Sequence, residues 1–141
     1  MIHRTLMIRR TLVSTLLVVT AGCVSTSPQP DPEEMYQKAA ALTKVTAMVE
    51  SLVTYSDVAL NADLLAAATG HDPEILKFFE GYELRAGQTQ GRGAVVMCTQ
   101  GGGEALLLDV GCTAKLDYHW WQTEAREPCE VPLDAAAVCP R

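Results

Sequence analysis

The chain has 141 residues, a formal net charge of −6 and a hydrophobic fraction of 48%. This length suits one domain, and the hydrophobic fraction excludes wholesale disorder and a collagen-like architecture. A nucleic-acid binder needs a basic surface to neutralise phosphates, so the excess of acidic residues argues against that class. The five cysteines are an odd number, which needs an explanation in an exported protein.

The first 22 residues have the composition of a secretory signal peptide. Their only charged residues are the three arginines Arg4, Arg9 and Arg10. These precede an apolar run over 12–20, and the segment ends in small residues, as signal peptides do. The run is shorter than the ~20 apolar residues that a helix needs to span a bilayer, so a cleaved peptide is favoured over a permanent transmembrane helix. Met1 and Met7 serve equally well as the start.

Residues 17–23, with the sequence LVVTAGC, resemble the lipobox of bacterial lipoproteins. Ala21 and Gly22 match the small residues that this family has before its cysteine, whereas Thr20 stands where Leu is usual. The resemblance implies that Cys23 receives a diacylglyceryl group on its sulfur, that cleavage falls just before it, and that the new amino terminus is acylated. The competing interpretation is ordinary signal cleavage after Ala21.

The residue after the cysteine is Val24. In Gram-negative lipoproteins, residues other than Asp at this place usually accompany sorting to the outer membrane. The resemblance therefore implies a lipid anchor in the inner leaflet of the outer membrane, facing the periplasm. Residues 23–31 then comprise the lipidated cysteine and a flexible tether, because the stretch is polar and contains prolines.

Helical signals begin at Asp31 and Pro32, which suit a helix cap and the first helical position. Apolar residues follow at helical spacing, and Gly70 is a natural stop. A single helix of that length would exceed the domain, so we expect a break between Thr54 and Asn61; the alternative is an intact helix in a coiled coil. A second start at Asp72-Pro73-Glu74 predicts a short helix over 75–80, with core candidates Ile75, Leu76, Phe78 and Phe79.

Strand signals follow the helical part of the chain. Apolar runs over 94–99 and 105–110 flank a glycine-rich connection, which predicts a β-hairpin, and 88–93 is predicted to be a loop. Residues 129–133 are expected to add an edge strand, because Pro132 excludes a central one. Helices followed by strands indicate a single α+β domain over 32–141, with the N-terminal helices packed on a small antiparallel sheet.

Lipidation of Cys23 would leave an even number of cysteines, which suits a disulfide framework in an exported chain: Cys98, Cys112, Cys129 and Cys139. In a tight hairpin Cys98 lies opposite Leu106, and Cys112 follows six residues further along that strand, about 20 Å away. Cys98 and Cys112 are then too far apart to form a disulfide. Two connectivities remain open, and both join the hairpin to the C-terminal tail. The cysteine spacing contains no C-x₂-C pair, so no metal site is expected.

The segment from Asp117 to Trp121 contains three of the eight aromatic residues of the chain. Neighbouring residues on a strand point to opposite faces, so Trp120 and Trp121 are not expected to enter one core together. In one interpretation, one tryptophan enters the core and the other covers the sheet edge. In the other, the segment is a partner-binding surface formed by Tyr118, His119, Trp120 and Trp121.

The sequence carries no catalytic constellation, cofactor motif or P-loop, and its glycine-rich stretches are better interpreted as turns. We therefore predict a lipid-anchored, non-enzymatic binding or interaction module with an envelope protein or cell-wall partner, and no cofactor. Cleavage before Cys23 leaves 8 basic and 17 acidic residues, a net charge of −9. The alternative prediction is a small acidic inhibitor or ligand-binding protein that captures a basic target, such as a cell-wall hydrolase, by electrostatic steering.

Overall fold

The computed structural model describes residues 30–56, 63–113, 116–124, 126–131 and 139. Within them a long helix packs on a three-stranded antiparallel sheet, which confirms the predicted α+β class. The predicted signal peptide, Cys23 and the predicted tether up to residue 29 lie outside the described residues. The elements in chain order are α1 (Pro32–Tyr55), α2 (Leu64–Thr69), a 3₁₀ helix (Pro73–Phe79), β1 (Tyr82–Thr89), β2 (Arg92–Thr99), β3 (Ala105–Val110) and a second 3₁₀ helix (Trp120–Gln122).

Helix α1 begins and ends where the sequence predicts. The Asp31 carboxylate accepts a hydrogen bond from the Glu33 backbone N–H at 2.9 Å, which caps the first turn. The helix ends at Tyr55, because Ser56 adopts an extended conformation. This end falls inside the predicted interval, and α2 starts afresh with the Asp63 side chain as its cap. The alternative of one intact helix is therefore wrong.

The first 3₁₀ helix occupies the place of the predicted short helix. It spans Pro73–Phe79, and Ile75 and Phe79 are buried as expected. Phe78 was also a core candidate, but 51% of it is exposed. Residues three apart share a face of a 3₁₀ helix, so the burial of Ile75 and Phe79, which are four apart, follows from their packing in the core under α1 and not from the 3₁₀ repeat.

The predicted hairpin is present as β2 and β3, whereas β1 was missed. The loop predicted over 88–93 is a two-residue turn between β1 and β2, in which Gln90 and Gly91 have positive φ angles of 49° and 75°. Such a turn matches the twist of paired strands. Strand β1 was not predicted because its sequence, YELRAGQT, is that of a partly exposed edge strand without an apolar run.

Strands β2 and β3 are buried on both faces. The two faces belong to two hydrophobic cores. In β2, Val95 and Met97 face α1 and lie in the first core, whereas Val96 and Cys98 face the C-terminal segment and lie in the second core. A β-bulge at Leu106 shifts the register, so that Cys98 pairs with Ala105 and not with Leu106 as predicted. The α1 residues in the first of these two cores are Met35, Ala39, Leu42, Val45 and Val49.

Two disulfides hold the C-terminal segment on the second face of the sheet. Cys98 is bonded to Cys129 and Cys112 to Cys139, which is one of the two connectivities left open by the sequence. The predicted edge strand from residue 129 is wrong for the described part of that stretch. The bond to Cys98 places Cys129 over the face of the sheet and not beside its edge, and the residue before it, Pro128, forms an isolated bridge to Glu104.

Helix α1 comes very close to the sheet at Gly93. A Cβ atom at this position would lie 2.8 Å from the backbone nitrogen of Glu50, closer than such atoms can approach. The Glu50 carboxylate also accepts a hydrogen bond from the Gly93 N–H at 2.5 Å and pairs with Arg92 at 2.8 Å. Glycine at this position therefore fixes the distance between the helix and the sheet.

We predict that Gly93→Ala lowers the free energy of unfolding by about 1–3 kcal/mol, because the added methyl group pushes the α1 backbone away from β2. Urea denaturation of the two proteins measures the change. The control is Gly103→Ala, since a Cβ there meets only Thr99 Oγ1 at an ordinary 3.6 Å. Equal midpoints for Gly93→Ala and the control would contradict the close approach.

We predict that a mild reductant opens the Cys112–Cys139 disulfide before Cys98–Cys129. The first pair is partly exposed, whereas both cysteines of the second are buried under the C-terminal segment. Timed alkylation followed by peptide mass spectrometry gives the order of reduction. Replacing Cys98 and Cys129 together by Ala should lower the free energy of unfolding by about 2–4 kcal/mol. The prediction fails if Cys98 and Cys129 are labelled first.

Candidate functional site

The predicted binding segment runs along the outer edge of β3 and then turns into the second 3₁₀ helix. Tyr118 and Leu108 exchange two backbone hydrogen bonds, of 3.1 and 3.2 Å, which form an isolated bridge. Trp120 and Trp121 then stand in the 3₁₀ helix, so the expectation that they occupy a strand is wrong. A single bridge does not extend the sheet, because the chain leaves the edge of β3 after one pair.

The two tryptophans nevertheless separate into different environments. Trp121 is only 8% exposed; it belongs to the core under α1 and meets the Tyr36 ring edge-on at a centroid distance of 5.8 Å. Trp120 packs against the second core, which contains Cys98–Cys129, and stacks on Tyr118 at 5.2 Å with only 12° between the ring planes. Tyr118, at 39% exposed, completes the solvent side of this stack.

A cleft of about 850 Å³ lies between this segment and the tip of the β2–β3 hairpin. Its volume is within the range of small-ligand and peptide sites. Pro30 also lines the cleft, so the cleft is next to the start of α1. Tyr118 and His119 are not among the lining residues. The side chains that give the cleft its chemistry are Tyr82, Gln100, Glu104, Trp120, Trp121, Gln122, Glu124 and Arg126.

One wall of the cleft rests on a buried lysine that the sequence analysis did not single out. Lys38 is almost fully buried on α1, donates to the Phe78 carbonyl at 2.6 Å, and pairs with Glu34 at 3.0 Å. Its Nζ also lies 4.8 Å from the centroid of the Tyr82 ring, a cation–π contact. Burial and the Glu34 charge raise the pKa of Tyr82. These contacts hold the Tyr82 ring in place.

Two polar atoms near the cleft are buried without a hydrogen-bond partner within the described part of the chain. They are the indole Nε1 of Trp121 and the Nδ1 of His119. An unpaired buried donor is costly, so such atoms call for an acceptor. Trp121 lines the cleft, and the neighbouring Gln122 amide is already used in a 3.0 Å hydrogen bond to the Tyr36 hydroxyl.

Among the described residues, nearly all basic side chains are in ion pairs, whereas some acidic side chains are not. Five of the six described lysines and arginines form an ion pair with a carboxylate, and Lys44 is the exception. In the cleft, Arg126 is the only basic side chain among the described lining residues, and it is bonded to Glu104. Glu124, on the same wall, is exposed and has no ion pair among the described residues. The cleft therefore carries a surplus negative charge.

A second chemically distinctive residue, Asp109, lies away from the cleft between β3 and α1. It is 2% exposed, and burial raises the pKa of its carboxyl from 3.8 to about 7. The contact with the Thr46 side chain opposes this rise, whereas the charge of Asp117 adds to it. The Thr46 hydroxyl proton is donated to the Leu42 carbonyl at 3.0 Å, so a neutral Asp109 fits this contact better than a carboxylate. The sequence signal was a lone acid inside the apolar run ALLLDV.

We predict that the free energy of unfolding falls as pH rises from about 4 to about 7. The folded pKa of Asp109 lies above its unfolded value, so the native state binds the proton more tightly and loses that stabilisation as the group ionises. The rise in the pKa of Asp109 corresponds to a loss of at most about 4 kcal/mol in the free energy of unfolding. Asp109→Asn should remove this fall and be more stable than the unsubstituted protein at about pH 8. Urea denaturation across the pH range tests this, with the exposed Asp72→Asn as control; parallel profiles for all three would refute it.

Three further observations describe the chain as a whole. Among the described residues, no group of three or more His, Cys, Asp or Glu side chains is placed to hold a metal ion. None of the helices in the described ranges is both long and apolar enough to cross a bilayer. Comparison of the chain with protein-family models, curated proteins and solved structures finds no match. The cleft, its charges and the cysteines are therefore the features that bear on function.

Proposed function

We propose that this protein is a lipid-anchored lipoprotein of the bacterial cell envelope that faces the periplasm and acts as a non-enzymatic binding module. Its binding site is the cleft beside the second 3₁₀ helix. The anchor is the acylated Cys23, and the partner is an envelope protein or a cell-wall component.

The observation that carries the proposal is the accounting of the cysteines. The four cysteines after residue 90 are bonded to one another in two disulfides, which leaves Cys23 as the fifth. This remaining cysteine is the one that ends the lipobox-like segment. Disulfides of this kind persist in oxidising compartments such as the periplasm. Cysteine pairing and the N-terminal pattern thus support the same route through the cell.

The position of the cleft supports a role close to the membrane. Pro30 lines the cleft and is the seventh residue after Cys23. Fully extended, such a chain spans at most about 25 Å. Under the proposed anchorage, the cleft would therefore lie within that distance of the lipid headgroups. A partner would reach it at the membrane surface and not deep in the periplasm.

A second candidate function is the acidic inhibitor or ligand-binding protein that captures a basic target. The observation that favours it is the pairing of charges: the described basic side chains are nearly all neutralised, whereas Glu124 and other exposed carboxylates form no ion pair with any described residue. With a net charge of −9 after cleavage, the domain would attract a cationic surface at low salt.

We predict that Cys23→Ser moves the protein from the membrane fraction to the soluble periplasmic fraction, because the acyl chains that hold it are lost. Fractionation with immunoblotting measures the distribution. Thr20→Leu, which restores the usual lipobox residue, is the matched control and should stay with the membrane. An unmodified Cys23 in mass spectrometry of the mature protein would refute the anchor.

Photo-cross-linking in the intact envelope tests the binding role. A photoreactive residue at Glu124, on the cleft wall, should give discrete cross-linked products. The same group at Lys44, which is exposed on α1 and outside the cleft, is the control. Products that are identical at both positions would contradict a specific site in the cleft.

A further inference from the structure

We propose that the cleft binds a peptide segment of its partner that carries a lysine or arginine side chain. The proposal names the ligand class for the binding site proposed above and rests on that function. It combines three features of the cleft: its surplus carboxylate, its fixed aromatic rings, and the unpaired Trp121 donor.

The charges of the cleft select a cation. Glu124 is exposed and unpaired within the described chain, and Glu104 is held by the single basic lining residue, Arg126. The chain next to Pro30 adds Asp31 and Glu33, which are exposed acids at the start of α1. A ligand with a positive side chain would pair with Glu124 and compete with Arg126 for Glu104. A phosphate or carboxylate ligand would meet net repulsion.

The aromatic rings suit the stem and the head of a basic side chain. Trp120 is held in place by its stack on Tyr118, and Trp121 by its edge contact with Tyr36, so neither ring has to be ordered on binding. Methylene groups pack on such rings, and the charged head is attracted to their faces. The protein already contains such a cation–π contact between Lys38 and Tyr82, and Tyr82 lines the same cleft.

The unpaired Nε1 of Trp121 favours a peptide as the carrier of the cation. This donor is buried and has no acceptor among the described residues. A peptide supplies backbone carbonyls next to each side chain, so the carbonyl would accept from the indole while the basic head pairs with Glu124. A free ammonium ion or a polyamine has no acceptor to offer.

The test is a titration of the mature protein, purified from cells in non-ionic detergent and monitored by the fluorescence of its two tryptophans. The probe is the end-capped peptide Gly-Lys-Gly-Lys-Gly, and its matched control carries acetyl-lysine at both positions. We expect saturable binding that is at least about tenfold tighter for the charged peptide and weakens between about 20 and 150 mM salt. Equal affinity for the two peptides would overturn the proposal.

Substitutions of opposite sign sharpen the test. Glu124→Gln should weaken peptide binding about two- to fivefold, as expected for an exposed ion pair. Arg126→Gln should strengthen it by a similar factor, because it removes the competing cation and frees Glu104. Asp72→Asn makes the same change in net charge as Glu124→Gln but lies outside the cleft, and should leave affinity unchanged.

Three further outcomes would overturn the proposal. Asp72→Asn could weaken binding as much as Glu124→Gln, which would indicate attraction by net charge alone. Arg126→Gln could weaken binding, which would indicate an anionic ligand. An N-acetylglucosamine oligomer could saturate the signal where the peptide does not, which would make the cleft a glycan site. Because binding in detergent does not depend on anchorage, a soluble wild-type protein in the fractionation experiment would refute the anchor and leave this result intact.

Discussion

The burial of β2 and β3 on both faces is the constraint on which the rest of the structure depends. Helix α1 covers one face with an ordinary amphipathic stripe. The other face is covered by the C-terminal segment, whose described part has only three residues of 3₁₀ helix, Trp120–Gln122. Two disulfides and the 2.7 Å hydrogen bond from Arg85 to the Cys129 carbonyl hold that segment in place. Cross-links are needed here because an irregular segment has few backbone bonds of its own to offset its loss of entropy.

The same constraint links the fold to the site. Trp120 packs against the Cys98–Cys129 core and also forms part of the cleft wall, so the segment that closes the sheet also builds the cleft. The opposite wall is the hairpin tip, which the bond from the Ala105 N–H to the Glu127 carbonyl ties to the same segment at 2.9 Å. Both walls are therefore attached to the disulfide-held core, and a reducing environment would loosen the cleft together with the fold.

Local signals predicted what local chemistry determines. The Asp31 cap, the end of α1 and the β2–β3 hairpin follow from residues close together in sequence, and the excluded Cys98–Cys112 bond follows from strand length alone. Long-range packing determines what was missed. Strand β1 has no apolar run and forms by pairing with β2. Beside the bulge at Leu106, the Ala105 N–H is bonded to the Glu127 carbonyl, and the buried Lys38 is bonded to the Phe78 carbonyl, forty residues away. No single window of sequence contains these pairs.

The candidate site shows the same division. The aromatic segment was predicted because adjacent tryptophans are conspicuous in sequence. The burial of Trp121 in the core under α1 involves Tyr36, which lies far away in sequence at the start of that helix. That position brings the cleft beside the tether, and under the proposed anchorage it has an electrostatic consequence. Cleaved before Cys23, the domain would have a net charge of −9 and would be repelled by an anionic leaflet, whereas a basic partner would be attracted to both. The cleft, on the tether side of the domain, would then lie in the gap where such a partner accumulates.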